Sequence, residues 1–339
     1  MSVFLITGGC GFIGSEFLRR MTDKYPSDFF ICFDALTYAG HRINIRELFL
    51  KKNFIFIKGD IRNKEEVEKV FTDYPIDYVV NFAAESHVDR SLIKPDDFLT
   101  TNIFGTHVLL ETSKRHNIRR FHQVSTDEVY GDLSYDDRRK FKEDSPRNPS
   151  SPYSVSKASA DRMVLAYHRT FSLPVTISRC SNNYGPYQFP EKLIPLTIEK
   201  ALHNENIPVY GTGENIRDWI YVSDHCKGID LILRKGHDGE IYNLSGGNEK
   251  ANIEIVKRIL SYLGKGENLI RFVKDRLGHD RRYSLDCSKA EKELGFHPVM
   301  DFEKGRSKTI EWYLASQAWI REVTMENSIS CPEKAKSIK

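Results

Sequence analysis

The first half of the chain alternates short apolar runs with amphipathic stretches. Val3–Ile6, Phe29–Phe33, Phe54–Lys58, Tyr78–Phe82, Phe121–Ser125 and Val175–Ser178 are of strand length and rich in Val, Ile and Phe, as strands buried on both faces are. Between them Phe12–Lys24, Lys64–Tyr74, Phe98–Asn117 and Tyr153–Phe171 carry apolar residues at helical spacing. Strand and helix in regular succession predict βαβ units feeding a parallel sheet, a Rossmann-type doubly wound α/β fold. After Asn182 the alternation loosens and Pro186, Pro190, Pro195 and Pro208 interrupt it, which predicts a smaller mixed α/β domain. The expected organisation is a first domain over 1–181, a second mainly over 182–325 with some segments returning to the first, and a tail over 326–339. The polar run Asp132 to Ser151 is expected to be a surface loop, and the basic last residues to fray.

Composition narrows the class of function. The chain has 339 residues, 40% hydrophobic and 29% charged, enough for a large core and without the bias of disordered or collagen-like chains. Fifty Lys and Arg stand against 47 Asp and Glu, interspersed along the chain, so no basic stripe points to nucleic acid. No apolar run approaches the ~20 residues of a bilayer span, and no membrane partner is expected. The chain enters its first strand without a secretory leader, and the six cysteines include no CxxC pair; both features predict a cytoplasmic protein without disulfides. Eleven histidines offer neither HExxH nor a Cys/His cluster at ligand spacing, so no metal is expected.

Directly after the first strand comes Gly8-Gly9-Cys10-Gly11-Phe12-Ile13-Gly14, which satisfies both GxGxxG and GxxGxxG. A strand precedes it, a helix follows, and Asp34 closes the second strand twenty residues beyond Gly14, the context a dinucleotide fingerprint requires. Glycines let the backbone approach a pyrophosphate, which is then held by the amides of a helix N-terminus. A carboxylate at Asp34 accepts from ribose hydroxyls and repels a 2′-phosphate, which favours NAD over NADP. Asp60, just past the third strand, suits either an adenine amino group or a helix N-cap. Small residues at Ala83 and Ala84 let a flat ring lie against the end of the fourth strand.

Tyr153 and Lys157 lie four residues apart, on one face of a helix that Pro152 starts. To act as a base at neutral pH, a phenol must come down by about three pKa units, roughly 4 kcal/mol of differential stabilisation. Lys157 and the positive nicotinamide ring are the expected suppliers, with Thr126 orienting the alcohol. After the fifth strand, Asp127 and Glu128 stand side by side. Neighbouring acids in a cleft push one another's pKa values apart, leaving a proton donor beside an acceptor; the alternative is a solvated turn with one carboxylate capping a helix.

At these residues the chain resembles the extended short-chain dehydrogenase/reductase family and, within it, the nucleotide-sugar dehydratases. The likeness runs through Asp34–Gly40 (DALTYAG), Ala83–Ser91 (AAESHVDRS), Thr101-Asn102, Ser125–Gly131, Ser178–Pro186, Pro190–Leu193, Ile216–Trp219 and Gly278–Tyr283. The Thr126-Asp127-Glu128 triplet separates it from related 4-epimerases and decarboxylases. The resemblance implies that Tyr153 takes the sugar 4-hydroxyl proton while hydride leaves C4 for NAD. Glu128 would then remove the C5 proton, Asp127 would protonate the departing 6-hydroxyl, and hydride would return to C6. Around NAD the resemblance implies Phe12, Ile13, Asp34, Ala35, Leu36, Thr37, Asp60, Ile61, Phe82, Ala83, Ala84, Glu85, Ser86, Thr101, Tyr153, Lys157 and Asn183, beside the glycines. Around the nucleotide sugar it implies Ser86, Thr126, Asn182, Lys192, Leu193, Pro208, Val209, Tyr210, Arg217, Asn252, Asp275, Arg276, Leu277, Gly278 and His279. Of these, Arg217 and Arg276 suit a diphosphate on charge alone, surface salt bridges being the alternative. Leu277 stands where the family often has Pro, and Cys10 where it usually has Ala. His87 and Asp89 are expected as structural hydrogen-bonders. The family implies a homodimer built on two helices per subunit. The rival functions are a 4-epimerase or decarboxylase of the same fold and a silent NAD-binding scaffold; dTDP and UDP sugars are not distinguished.

Overall fold

The computed structural model describes residues 1–330, the last five by backbone alone. The six predicted apolar runs form β1 (Val3–Thr7), β2 (Phe29–Asp34), β3 (Phe54–Lys58), β4 (Tyr78–Asn81), β5 (Arg120–Thr126) and β6 (Val175–Cys180). Six further strands follow: β7 (Asn182–Tyr184), β8 (Ile207–Tyr210), β9 (Ile216–Tyr221), β10 (Ile241–Leu244), β11 (Glu249–Ala251) and β12 (Ile270–Val273). Seven strands make one parallel sheet in the order β10-β6-β5-β4-β1-β2-β3. Alternate side chains feed two cores: Phe4, Ile6, Phe30 and Cys32 on one face, Val3, Leu5, Ile31 and Phe33 on the other. Burial on both faces explains why these runs are apolar throughout. The strand order reverses between β1 and β4, and a ligand crevice is expected at the carboxyl ends there.

The chain beyond residue 182 divides between two bodies. Helix Val222–Lys235 packs Cys226, Ile229, Ile232 and Leu233 into the core of Phe17, Leu18 and Met21, and β10 extends the main sheet. The smaller lobe holds the sheet β11-β9-β7 and the pair β12-β8. Its core contains Trp219, Tyr221, Ile255, Ile259, Ile310, Tyr313 and Trp319.

Two sequence expectations are corrected and one is sharpened. The helix expected over Phe98–Asn117 is interrupted: Pro95–Phe98 is α-helical, Leu99–Gly105 widens to a π-helix, and Thr106–Arg115 resumes the α-helix. Asn102, inside the wide turn, spends its side chain on the backbone of Glu85 and on Ser156 Oγ, a constraint that helical periodicity does not reveal. The expected surface loop Asp132 to Ser151 is indeed irregular and mostly exposed or half-buried, but it is anchored by two bridges, Leu133 to Arg282 and Phe141 to Leu285, with Leu133 buried and Phe141 stacked on Tyr130. The expected tail over 326–339 begins within helix Gln317–Ser330; its remainder, with Cys331, lies outside the described residues.

The long helix Pro152–Phe171 is pinned to β6 by an ion pair, Arg179 Nε to Asp161 Oδ2 at 2.9 Å, with both side chains fully buried. Removing one partner strands the other charge away from water. Asp161→Ala is therefore expected to cost about 3–5 kcal/mol of stability, read as a lower urea midpoint at unchanged slope. A midpoint equal to wild type would mean that the pair does not brace the helix.

Candidate active site

The glycine turn after β1 has little room for side chains. Gly8 has φ +67°, and a Cβ there would lie 2.6 Å from the Ala83 nitrogen; one on Gly14 would collide with the Gly8 carbonyl. Gly9 serves packing instead, since its Cβ would meet Cys32 Sγ at 2.6 Å. Gly11 caps helix Phe12–Lys24 without a side chain, leaving the first-turn amides open to a ligand. Asp34 braces this turn. Its carboxylate accepts from the Cys10 and Leu36 amides, each at 2.8 Å, and each oxygen has a further lone pair for a ribose hydroxyl. Burial pushes Asp34 up, and the two amides oppose that shift.

The cleft beside this turn is lined by Gly8, Gly11, Phe12, Ile13, Gly14, Asp34, Ala35, Thr37, Asp60, Ile61, Phe82, Ala83, Ala84, Glu85, Ser86, Thr101, Thr126, Asp127, Glu128, Tyr153, Lys157, Asn182, Asn183 and Lys192. Among the residues expected around the cofactor, Leu36 does not line it; its side chain packs against the main core. Asp60 does not cap the next helix. Asn63 does, accepting from the Glu65 and Glu66 amides. Asp60 is bonded by Arg62 instead, at 2.6 Å from Nη2; burial pushes its carboxyl up, but these bonds hold it below the usual range. Tyr38, Arg62, Ser125, Cys180, Gln188, Phe189 and Glu191 also line the cleft, and sequence reasoning gave them no role there. The strand-end rule points to Ser125 and Cys180, whereas no local pattern marks Gln188 or Phe189.

Thr126 caps the short turn Asp127–Tyr130, accepting from the Glu128 amide at 3.2 Å. A hydroxyl rather than a carboxylate is the cap, and Asp127 is only 2% exposed, so the solvated-turn alternative fails. Burial, then the charge of Glu128, pushes Asp127 well up, and its Oδ2 has no protein partner. Burial also raises Glu128, but Arg276, Arg217 and Lys192 pull it back toward its charged form. The adjacent acids thus differ: both are raised, Asp127 well up, while three cations draw Glu128 back toward its charged form.

Lys157 and Tyr153 line the same cleft. Lys157 Nζ donates to the Val124 carbonyl at 2.7 Å, and burial lowers its own pKa. Burial, then Glu128, pushes the Tyr153 phenol well above its ordinary value, and a bond with Thr126 opposes that shift. Spacing placed the two groups on one face, but desolvation dominates once both are buried. The nicotinamide ring of NAD would bring a further positive charge to this phenol. The site fits that cofactor: the cradle has no room for a Cβ at Gly8 or Gly14, Asp34 stands where a 2′-phosphate would meet like charge, and the small side chains of Ala83 and Ala84 line the cleft.

The residues expected around the nucleotide sugar fall into two groups. Ser86, Thr126, Asn182 and Lys192 share the cleft, with Lys192 Nζ donating to the Ser86 carbonyl at 3.1 Å. Leu193, Pro208, Val209, Tyr210, Arg217, Asn252, Asp275, Arg276, Leu277, Gly278 and His279 belong to the smaller lobe, beyond the cleft lining. Val209 is 2% exposed in a core that Leu193 also packs against, so Val209 offers a ligand only backbone. Arg217 is buried and bonds carbonyls of Ile216 and Asp280, which rules out the surface salt bridge. Arg276 Nη1 lies 3.7 Å from Asp89, which also accepts from Tyr210 at 3.0 Å, and His279 pairs with Asp275. Leu277 is 75% exposed at the loop tip.

A parallel sheet with its glycine cradle at the switch point and a Tyr–Lys pair on the adjoining helix defines an extended short-chain dehydrogenase/reductase. Within that class the chain belongs to the GDP-mannose 4,6 dehydratase family, which it matches over residues 5–309. It is 47% identical to the dTDP-glucose 4,6-dehydratase of Xanthomonas campestris pv. campestris strain B100 over 95% of this chain and 96% of that protein. It is also 47% identical to the dTDP-glucose 4,6-dehydratase of Haemophilus influenzae, over 93% of this chain and 98% of that one. Among solved structures, the dTDP-glucose 4,6-dehydratase of Streptomyces venezuelae with NAD bound superposes with a TM-score of 0.92 at 44% identity, covering 95% of this chain and 99% of that one.

Proposed function

We propose that this protein dehydrates a nucleoside-diphosphate glucose, dTDP-glucose foremost, to its 4-keto-6-deoxy product with NAD as resident cofactor. The observation that carries this reading is the pair Asp127–Glu128 lining the cleft, Asp127 buried and pushed toward its neutral form, Glu128 half-buried and drawn toward its anion by three cations. Oxidation or epimerisation at C4 needs only the phenol; elimination of water needs a donor and an acceptor together. NAD, when bound, would supply the hydride acceptor for C4 and the hydride donor for C6. Tyr153 holds the 4-hydroxyl and receives its proton, with Thr126 fixing the phenol. Glu128 takes the C5 proton, which a ketone at C4 acidifies, and Asp127 gives its proton to the 6-hydroxyl, which leaves as water. Lys192, Arg217 and Arg276 supply positive charge for the diphosphate.

With sugar deuterated at C4, the product is expected to have lost one water and to carry the label at C6. Label in solvent, or a product of unchanged mass, would overturn the reading. Comparing kcat/KM for dTDP-glucose and UDP-glucose settles the base, a discrimination worth about 1–3 kcal/mol in a pocket. The same reading includes a homodimer in the cytoplasm. Leu99, Phe104, Val155 and Phe171 are 42–49% exposed on adjoining helices, an apolar surface that a second copy would cover. Five described cysteines are free thiols, and among the described residues no helix is long and apolar enough to cross a membrane.

A further inference from the structure

Asp280 is 6% exposed and lies in the segment between β12 and helix Ser288–Leu294, against the start of the Tyr153 helix. Its Oδ2 accepts from the Tyr283 hydroxyl and, at 2.5 Å, from Ser150 Oγ. Ser150 adjoins Ser151, whose reciprocal bonds with Ser154 form the capping box of helix Pro152–Phe171. The backbone carbonyl of Asp280 accepts from Arg217 Nη2 at 2.9 Å and from Asn215 Nδ2 at 3.1 Å. The Arg217 guanidinium stacks over the Tyr283 ring, 4.3 Å from its centroid. Arg217 is thus gripped on its face by Tyr283 and on its edge by carbonyls, and no carboxylate of the described residues lies within ion-pair distance of it.

This arrangement has an electrostatic purpose. A direct Asp–Arg bridge would cancel the cation, whereas Asp280 directs its carboxylate to two hydroxyls and holds Arg217 indirectly. The guanidinium charge remains available to Asp127, to Glu128 and to an incoming diphosphate. We propose that Asp280 is a positioning residue: through Tyr283 it orients Arg217 toward the carboxyl pair and the diphosphate, and through Ser150 it fixes that orientation to the start of the Tyr153 helix. This inference deepens the dehydratase reading and rests on it.

The test compares NAD-loaded wild type with Asp280→Ala, Asp280→Asn and Tyr283→Phe. The readouts are dTDP affinity by calorimetry, thermal unfolding, and kcat for dTDP-glucose across pH. Asn keeps an oxygen for Tyr283 and Ser150 but loses the charge; Phe keeps the ring and loses one bond. Asp280→Ala is expected to weaken dTDP binding and to lower kcat, each by about 10–100-fold, with Asp280→Asn restoring most of both. The groups facing Glu128 are Arg276, Arg217, Lys192, Asp280, Tyr153, Tyr283 and Asp127. Because Asp280 raises Glu128, the acidic limb of kcat is expected at lower pH in the Asn variant. An Asp280→Ala protein that binds dTDP like wild type, or that only melts earlier with an unmoved pH profile, overturns the inference. Should Asp280→Ala fail to fold, Tyr283→Phe decides: weaker dTDP binding supports the grip on Arg217, and unchanged binding refutes it. A wild type that binds dTDP but eliminates no water sinks the dehydratase reading alone, and the binding arm still tests the positioning.

Discussion

Glu128→Gln is expected to reduce water elimination by about 10²–10⁴-fold, the contribution of a positioned general base. The amide keeps the shape and the bond from its own backbone to Thr126, so the fold and the cofactor cradle stay as they are. Oxidation at C4 relies on Tyr153, and the variant should therefore still show reduced cofactor on mixing with substrate, detectable by its near-ultraviolet absorbance. Elimination at the wild-type rate would remove Glu128 from the role of base. The pH dependence follows from the same pair. A base must be ionised, so the rate falls as pH drops through the raised pKa of Glu128; an acid must be protonated, so it falls again as pH rises through that of Asp127, raised further by burial and by Glu128. A bell results, and Glu128→Gln should erase what remains of its acidic limb.

Tyr153→Phe is expected to be as severe, about 10²–10⁴-fold, and to act one step earlier. The ring continues to fill its place against Phe98 and Val88, so stability changes little, but the 4-hydroxyl loses its proton acceptor. No reduced cofactor should then accumulate, which distinguishes this variant from Glu128→Gln. Reduced cofactor forming at the wild-type rate in the Phe variant would show that another group takes the proton.

The parts of this protein that the sequence displays are those whose partners are close along the chain. The glycine turn, Asp34 and the Tyr153–Lys157 spacing lie on strand–turn–helix units, where local periodicity fixes geometry. Asp127 and Glu128 are adjacent, so their coupling was readable, though which carboxyl is held down depends on Arg217, Lys192 and Arg276 arriving from another lobe. Spacing likewise put Lys157 beside Tyr153 without revealing that the Val124 carbonyl takes its ammonium. The wide turn at Asn102 and the setting of Asp280 and Arg217 were hidden for the same reason: each is made by groups distant in sequence, and none leaves a period or a motif.

The return of residues 222–244 to the main sheet affects how the chain can be made. A nascent polypeptide that has emerged only through β6 exposes that strand as a bare edge and leaves the apolar face of helix Phe12–Lys24 uncovered. Its missing neighbours, helix Val222–Lys235 and β10, are synthesised after β7, β8 and β9 of the other lobe. Neither lobe can therefore finish on the ribosome before the other has begun, and the N-terminal half expressed by itself should stick to its own copies rather than persist as an autonomous cofactor-binding fragment.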